Sequence, residues 1–141
     1  MSDVFEATRQ FLLNDASINT AVGGSRVVAD QMPEGMETPC VVFYLISSDV
    51  TSIITEGAIN ASISRFQIDA YASSRPAASR LQRMIARRMA NFVGEVNGYC
   101  LKTSRMSGER ADTDRPDLGS AGFRYISSID YQVVHFPFET P

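Results

Sequence analysis

Few residues in this chain are of the types that carry out chemistry, and their spacing assembles none of the familiar sites. His135 is the only histidine. It closes a late alternating segment, and no serine or cysteine nucleophile motif accompanies it. General acid–base work needs an organised partner within hydrogen-bond reach, so this histidine reads as structural. Cys40 and Cys100 sit far apart, each at the start of an apparent strand. They lack the paired spacing of a metal site and are too few for a disulfide framework, so both read as small buried apolar residues. Gly23 and Gly24 would need a preceding strand and a following Lys-Ser/Thr to cradle a phosphate, and have neither; a helix end and turn is expected. Between Glu109 and Gly119 the signs alternate through Glu109, Arg110, Asp112, Asp114, Arg115 and Asp117. The calcium-loop pattern is absent and the arginines compete for the carboxylates, so a solvated loop is expected rather than a metal site. No catalytic, cofactor-binding or metal-binding residue is assigned, and no cofactor is expected.

What remains is surface charge. Arg80, Arg83 and Arg87 fall on one face of a helical segment, and twelve of the 13 basic residues are arginine. Arginine is favoured at interfaces for its planar, bidentate contacts. A partner surface or the base composition of the source genome would each produce that bias. The formal net charge of -3 argues against a general nucleic-acid binder. The 141 residues, 44% apolar and 21% charged, suit one globular domain with a real core. No apolar run approaches a membrane-spanning length, and the N-terminal residues lack the basic and apolar regions of a secretory signal. The protein is expected in the cytoplasm or in something assembled there.

The elements are read from periodicity. The organising stretch runs from Ala61 to Phe92. Phe66, Ile68 and Ala70 alternate with Gln67, Asp69 and Tyr71 as a half-buried strand. Ser73 to Pro76 break that pattern with an N-capping serine and a first-turn proline. Ala77, Leu81, Met84, Ile85, Met89 and Phe92 then share one face of a long helix expected to end at Gly94. Upstream, Asp3 with Glu6 resembles a capping box for a helix carrying Val4, Thr8, Phe11 and Leu12. Asp15 caps a second helix, Ala16 to Val22. Arg26 to Ala29 is a short strand, and Met32 to Pro39 a connecting loop. Cys40 to Ile46 is an unbroken apolar run, expected of a central strand covered on both faces.

From Ser47 to Ser64 the apolar positions Ile59, Ala61 and Ile63 fall out of phase with Phe66, Ile68 and Ala70. A bulge would explain the switch, as would a hairpin arm reaching beyond the core. The arm is preferred because the segment is too long for a tight turn and has β-propensity of its own; a surface loop is the alternative. Tyr99, Leu101 and Thr103 mark a further strand. In the last strand Phe123, Tyr125, Ile129, Tyr131 and Val133 face inward, while Arg124, Ser128, Asp130 and Gln132 face outward. Ile126 and Val134 interrupt the polar face, which calls for cover by a helix or a neighbouring subunit. Phe136 to Pro141 form an apolar tail. The fold class is α+β: a mostly antiparallel central β-sheet, with a long helix and an N-terminal helix packed on it and an extended β-hairpin arm.

The segments Thr38-Pro-Cys-Val-Val-Phe-Tyr, Arg65-Phe-Gln-Ile-Asp-Ala-Tyr-Ala and Arg75-Pro-Ala-Ala-Ser-Arg-Leu, in that order, resemble the bacteriophage tail completion family, which comprises tail terminator or tail-to-head joining proteins. The closing strand Phe123-Arg-Tyr-Ile-Ser-Ser-Ile-Asp-Tyr-Gln-Val and the early Asp15-Ala-Ser-Ile-Asn-Thr-Ala-Val-Gly-Gly are similar to the family in placement. The resemblance covers nearly the whole chain, making residues 1–141 one tail-terminator-like domain. It implies a structural virion protein and not an enzyme. Such a protein forms a homo-oligomeric ring, typically a hexamer, that caps the tail tube protein, ends tube polymerisation and meets the head connector or neck protein. DNA passes through its lumen without specific binding, no membrane is involved, and assembly takes place in the host cytoplasm. A ring needs two complementary patches. Arg80, Arg83 and Arg87 supply one candidate and Glu109, Asp112 and Asp114 the other, with a solvated helix face as the plain alternative. Asp49, Thr51, Ile53, Glu56 and Asn60 of the hairpin face the lumen or the tube, where the lack of cations would let DNA slide. A head-completion ring is the nearest competitor. A nucleic-acid-binding α+β module presenting Arg80, Arg83, Arg87 and Arg88 is the reading from another class, and a small enzyme the third.

Overall fold

The computed structural model describes residues 4–33, 35–53, 59–114 and 124–137. The positions Asp3, Glu56, Phe123 and 138–141, and the charged stretch 115–119, lie outside the described residues. Helix α1 (Val4–Leu13) buries Ala7, Thr8, Phe11, Leu12 and Leu13 along one stripe. Helix α2 (Ala16–Ala21) starts where the Asp15 carboxylate accepts from the amides of Ser17 and Ile18 at 3.0 and 3.1 Å. Gly23 and Gly24 take φ of 63° and 82°, the left-handed values that let the chain leave a helix sharply. The glycine pair is thus a helix exit.

Seven strands form one sheet: β1 (Val27–Ala29), β2 (Cys40–Ile53), β3 (Ile59–Ala72), β4 (Val93–Val96), β5 (Tyr99–Arg105), β6 (Arg110–Asp114) and β7 (Arg124–Pro137). The order is β1-β2-β3-β7-β5-β4, and only β1 and β2 run parallel. One side of β7 pairs with β3. The other pairs with β5 over Tyr131 to Pro137 and with β6 over Arg124 to Ser128. Helix α3 (Arg75–Met89) connects β3 to β4 and starts at Ser74, whose hydroxyl accepts the Ala77 amide.

The main core lies between the sheet and the helices. Val41, Phe43, Phe66, Ile68, Ala70, Ile129, Tyr131 and Val133 meet Phe11, Leu12, Leu81, Ile85 and Met89 there. The largest polar side chain sealed inside is Gln82 of α3, fully buried. Its amide nitrogen donates to the carbonyls of Ile68 on β3 and Ser127 on β7, at 2.9 and 2.5 Å, and its oxygen accepts from the Tyr131 hydroxyl at 3.0 Å. A buried amide is tolerated only when its hydrogen bonds are made, and here both ends are used.

Four expectations need correction. The apolar run in β2 is covered on both faces only as far as Phe43; Leu45 and Ile46 are exposed. The strand continues to Ile53, and the register slips between Leu45 and Ser47, so the sheet holds both a bulge and a long hairpin. The middle of the sheet is β3 and β7, not β2. Second, α3 ends at Met89, and Phe92 leaves the helix to pack its ring, tilted by 50°, against that of Phe11 with the centroids 4.4 Å apart. Asn97 and Gly98, with φ of 50° and 84°, make a two-residue turn that lays β4 against β5. Third, Arg110–Asp114 is strand β6 rather than loop, because its backbone completes the free side of β7. Fourth, Ile126 is covered by neither helix nor subunit: it joins Cys40, Val42 and Tyr71 beneath Met32 and Met36 of the β1–β2 connection. Cys40 is buried there, and desolvation pushes its thiol up to about 11; Cys100 is only half-buried.

Replacing Gln82 with leucine keeps the volume but strands the Tyr131 hydroxyl in the core. Stability should fall by about 2 kcal/mol, the cost of a buried polar group left unsatisfied, as read by urea unfolding of Gln82→Leu against the parent.

Candidate functional site

Three surfaces carry the residues singled out by the sequence. The first is the outer face of α3. Arg80, Arg83 and Arg87 are all exposed there, as helical spacing requires once Leu81, Gln82 and Ile85 face the sheet. Arg88 does not join them. Its guanidinium donates to the Phe11 carbonyl at 3.0 Å and lies 4.0 Å from the Phe11 ring centroid, so it serves the fold.

The acidic group lies beside the helix rather than across the molecule from it. The Glu109 carboxylate accepts from Ser127 at 2.6 Å and from Ser79 of α3 at 2.8 Å. The Ser127 hydrogen bond is the main cause that lowers its pKa; burial opposes it, and Ser79, Arg83 and Arg105 add to the lowering. Asp112 is exposed on β6, and its carbonyl accepts from Arg75 at 3.2 Å. Asp114 ends the same strand. Arg83 and Glu109 are therefore brought together within one subunit, while Asp112 and Asp114 lie further along the β6 edge.

The second surface is the β2–β3 hairpin. Its pairing runs unbroken from Ser47↔Arg65 to Ile53↔Ile59, and it carries Asp49, Thr51, Ile53 and Asn60. Asp49 is exposed. At the hairpin's base, on the sheet face away from the helices, an open cleft of about 200 Å³ is lined by Ser47, Asp49, Ile63, Arg65, Met106 and Gln132. Its size and polar walls do not suit a cofactor.

The third surface is a polar network on that same outer face, which the periodicity located without revealing its partners. Asp130 of β7 accepts two hydrogen bonds from Arg65 of β3, at 2.9 and 2.6 Å, and one from Arg110 of β6 at 2.7 Å. Burial works to raise the Asp130 pKa, but the two guanidiniums outweigh it and hold it below the usual carboxylate range. The backbone of Asp130 also fixes the β5–β6 turn: its amide donates to the Ser107 hydroxyl and its carbonyl accepts from the Met106 amide. One residue pair further along, Asp69 is buried with only neutral donors in direct contact, Ser128 at 2.6 Å and Gln67 at 3.0 Å. Desolvation raises its pKa despite them.

A serine and the histidine do meet, unforeseen by the sequence. Ser64 and His135 share a hydrogen bond of 2.8 Å, with Ser48 3.0 Å from Ser64. Ser64 is buried in mid-strand, and among the described residues no carboxylate hydrogen-bonds the ring. Burial lowers the His135 pKa, favouring the neutral ring. This pair closes the upper end of the core rather than activating a nucleophile. Among the described residues no cluster of three potential metal ligands occurs.

The chain matches the family model described as Tail completion protein gp17 over residues 6–126, from within α1 to the first residues of β7. No curated protein sequence matches it. Among solved structures it is similar to a chain of the virion of a native gene transfer agent (GTA) particle, at 17% identity over 92% of each chain with a TM-score of 0.59. A second solved chain is 12% identical over 98% of this chain and 96% of the other, with a TM-score of 0.51. At such identities the likeness is one of fold.

The raised pKa of Asp69 gives a signed expectation. Its charged form is penalised in the folded state, so the stability it permits below 3.8 is lost as pH rises through the folded value. Asp69→Asn keeps an oxygen for Ser128 and Gln67 and removes the charge. It should raise stability at pH 7 by on the order of 1 kcal/mol, and the gain should vanish below about pH 4, as measured by denaturation across pH.

Proposed function

The chain belongs to the tail completion protein gp17 family, structural components of phage-like virions rather than enzymes, and from that membership we propose that it forms a ring on the end of the tail tube. The ring stops further addition of tube subunits and presents its opposite surface to the head connector or neck protein. Residues 1–141 act as one tail-terminator-like domain with a six-fold ring as its assembled form, put together in the host cytoplasm. DNA passes through the lumen without specific binding.

The observation that carries this reading is the hairpin. The paired strands run on to Ile53 and Ile59, well past the last β2 residue that the helices cover. A monomer gains little from such an extension, whereas a ring subunit needs an arm to reach the lumen or the tube. Asp49, Thr51, Ile53 and Asn60 are positions of this arm, and no lysine or arginine lies between Asp49 and Ser64 to hold DNA phosphates. The arginines Arg80, Arg83 and Arg87, with Glu109, Asp112 and Asp114 near them, offer one charged surface of both signs to a neighbouring subunit.

Native mass spectrometry over a rising protein concentration should give a discrete closed oligomer of six subunits. Arg83→Glu should reduce its fraction at a given concentration, and a DNA column should show no salt-dependent retention. A chain that stays monomeric and also fails to bind the ends of purified tail tubes would overturn the proposal.

A further inference from the structure

Among the described residues the upper stretch of β2 and the outer side of β4 both lack a paired strand, and the strand registers set the two at the same height. On one side, β1 covers β2 only from Val41 to Phe43, so among the described residues nothing pairs with the outer edge of β2 from Tyr44 to Ile53. On the other side, β4 is the last strand. Reading across the sheet, Asp49 stands level with Ile63, then Val134, Lys102 and Val93. The next row is Val50, Ser62, His135, Leu101 and Gly94. Each step from β2 through β3, β7 and β5 to β4 is antiparallel, and four reversals leave β4 running in the direction of β2.

We infer that subunits of the assembly join edge to edge, β4 of one copy adding in parallel to the free edge of β2 on the next, so that one sheet continues from subunit to subunit. The inference rests on the ring reading and supplies its contact. Three observations converge on it. Unpaired strand edges are templates for further strands, and natural proteins blunt them unless they are used. Of the four large apolar side chains exposed among the described residues, Leu45 and Ile46 (38% and 51%) lie on the free stretch of β2 and Val93 (73%) on β4. The charges also fit. In level register the neighbour's Asp49 stands beside Val93 and one strand further from Lys102, which shares the row and the outer face. Lys102 is the only lysine of the chain, and neither it nor Asp49 has an ion-pair partner among the described residues. Glu95 falls beside Thr51, so no two carboxylates are placed opposite each other. The two edges differ from one another, which makes the contact heterologous, the kind that closes into a ring when the rotation permits.

Cysteine pairing tests this directly. In a Cys100→Ser background, Asp49→Cys and Val93→Cys are introduced together or singly, because level residues on adjacent strands lie about 5 Å apart, within disulfide reach. After mild oxidation the doubly substituted chain should give a ladder of covalent oligomers ending at the ring size. An equal mixture of the two singly substituted chains should give dimers, and each alone should give none. Independently, Val93→Glu, which sets a second carboxylate beside the neighbour's Asp49, should weaken oligomerisation at least tenfold in native mass spectrometry without lowering the melting temperature. Homodimers through position 49 or 93 alone would overturn the inference, as would unchanged assembly of Val93→Glu. A closed oligomer that does not cross-link at these positions overturns the edge contact and leaves the ring reading standing. Failure to assemble in solution and on tail tubes removes both.

Discussion

The amide of Gln82 sits where α3 crosses the two central strands, and much of the architecture depends on its being satisfied. An apolar helix face can rotate or slide on an apolar sheet at small cost, since hydrophobic burial has no direction. A buried amide that must reach the carbonyls of Ile68 and Ser127 and the hydroxyl of Tyr131 cannot. These contacts set the rotation of α3, and with it the outward direction of Arg80, Arg83 and Arg87. They also tie β3 to β7 from above, next to the row where Asp69 and Ser128 tie them from below.

Strand β7 is where the two faces are coupled. Ser127 gives its carbonyl to Gln82 and its hydroxyl proton to Glu109, while Asp130, three residues on, faces the opposite side and gathers Arg65 and Arg110. Arg75, at the start of α3, reaches the carbonyls of both Ile126 and Asp112. The turn between β5 and β6 is thereby held from the helix side by Glu109 and from the outer side by Asp130. Isolated surface ion pairs contribute little, but a carboxylate almost removed from water and met by two guanidiniums is anchored by the cost of leaving any one of them unpaired. The first part of the charged stretch that reads as a solvated loop in the sequence, Arg110–Asp114, is thus a strand, held at its start by Glu109 and Arg110.

How much of this was legible follows from range. The inward residues of β3, with Ile129, Tyr131 and Val133 of β7, the cap at Asp15, a capping serine before α3 and the outward arginines rest on period and local chemistry, and these emerge from the sequence alone. What escaped depends on partners far along the chain. Helical periodicity continues in the sequence to Phe92, although the Asn97-Gly98 pair marks a hairpin whose first strand begins at Val93. Arg88 reads as one more surface arginine until Phe11 is placed beside it. Nothing near Ile126 announces that Met32 and Met36 cover it. The phase change after Ile46 points to an arm or to a bulge and cannot separate the two causes, which here occur together.

The same sheet raises a question of negative selection. A long paired hairpin with exposed Leu45 and Ile46 beside an unpaired edge is the kind of feature that drives strand-to-strand aggregation, and proteins that work as monomers cover it or load it with charge. The cover supplied by β1 stops at Phe43, leaving the rest of that edge open along the arm. On the opposite side, β4 is short and ends in a tight turn, so it offers a template of only four residues. An edge that is long on one side and short on the other favours one defined addition over runaway stacking, because each new copy gains a limited number of backbone hydrogen bonds in a single register. A contact so limited is weak for two free subunits and becomes strong only when closure of a ring, or a surface beneath it, makes all the contacts at once.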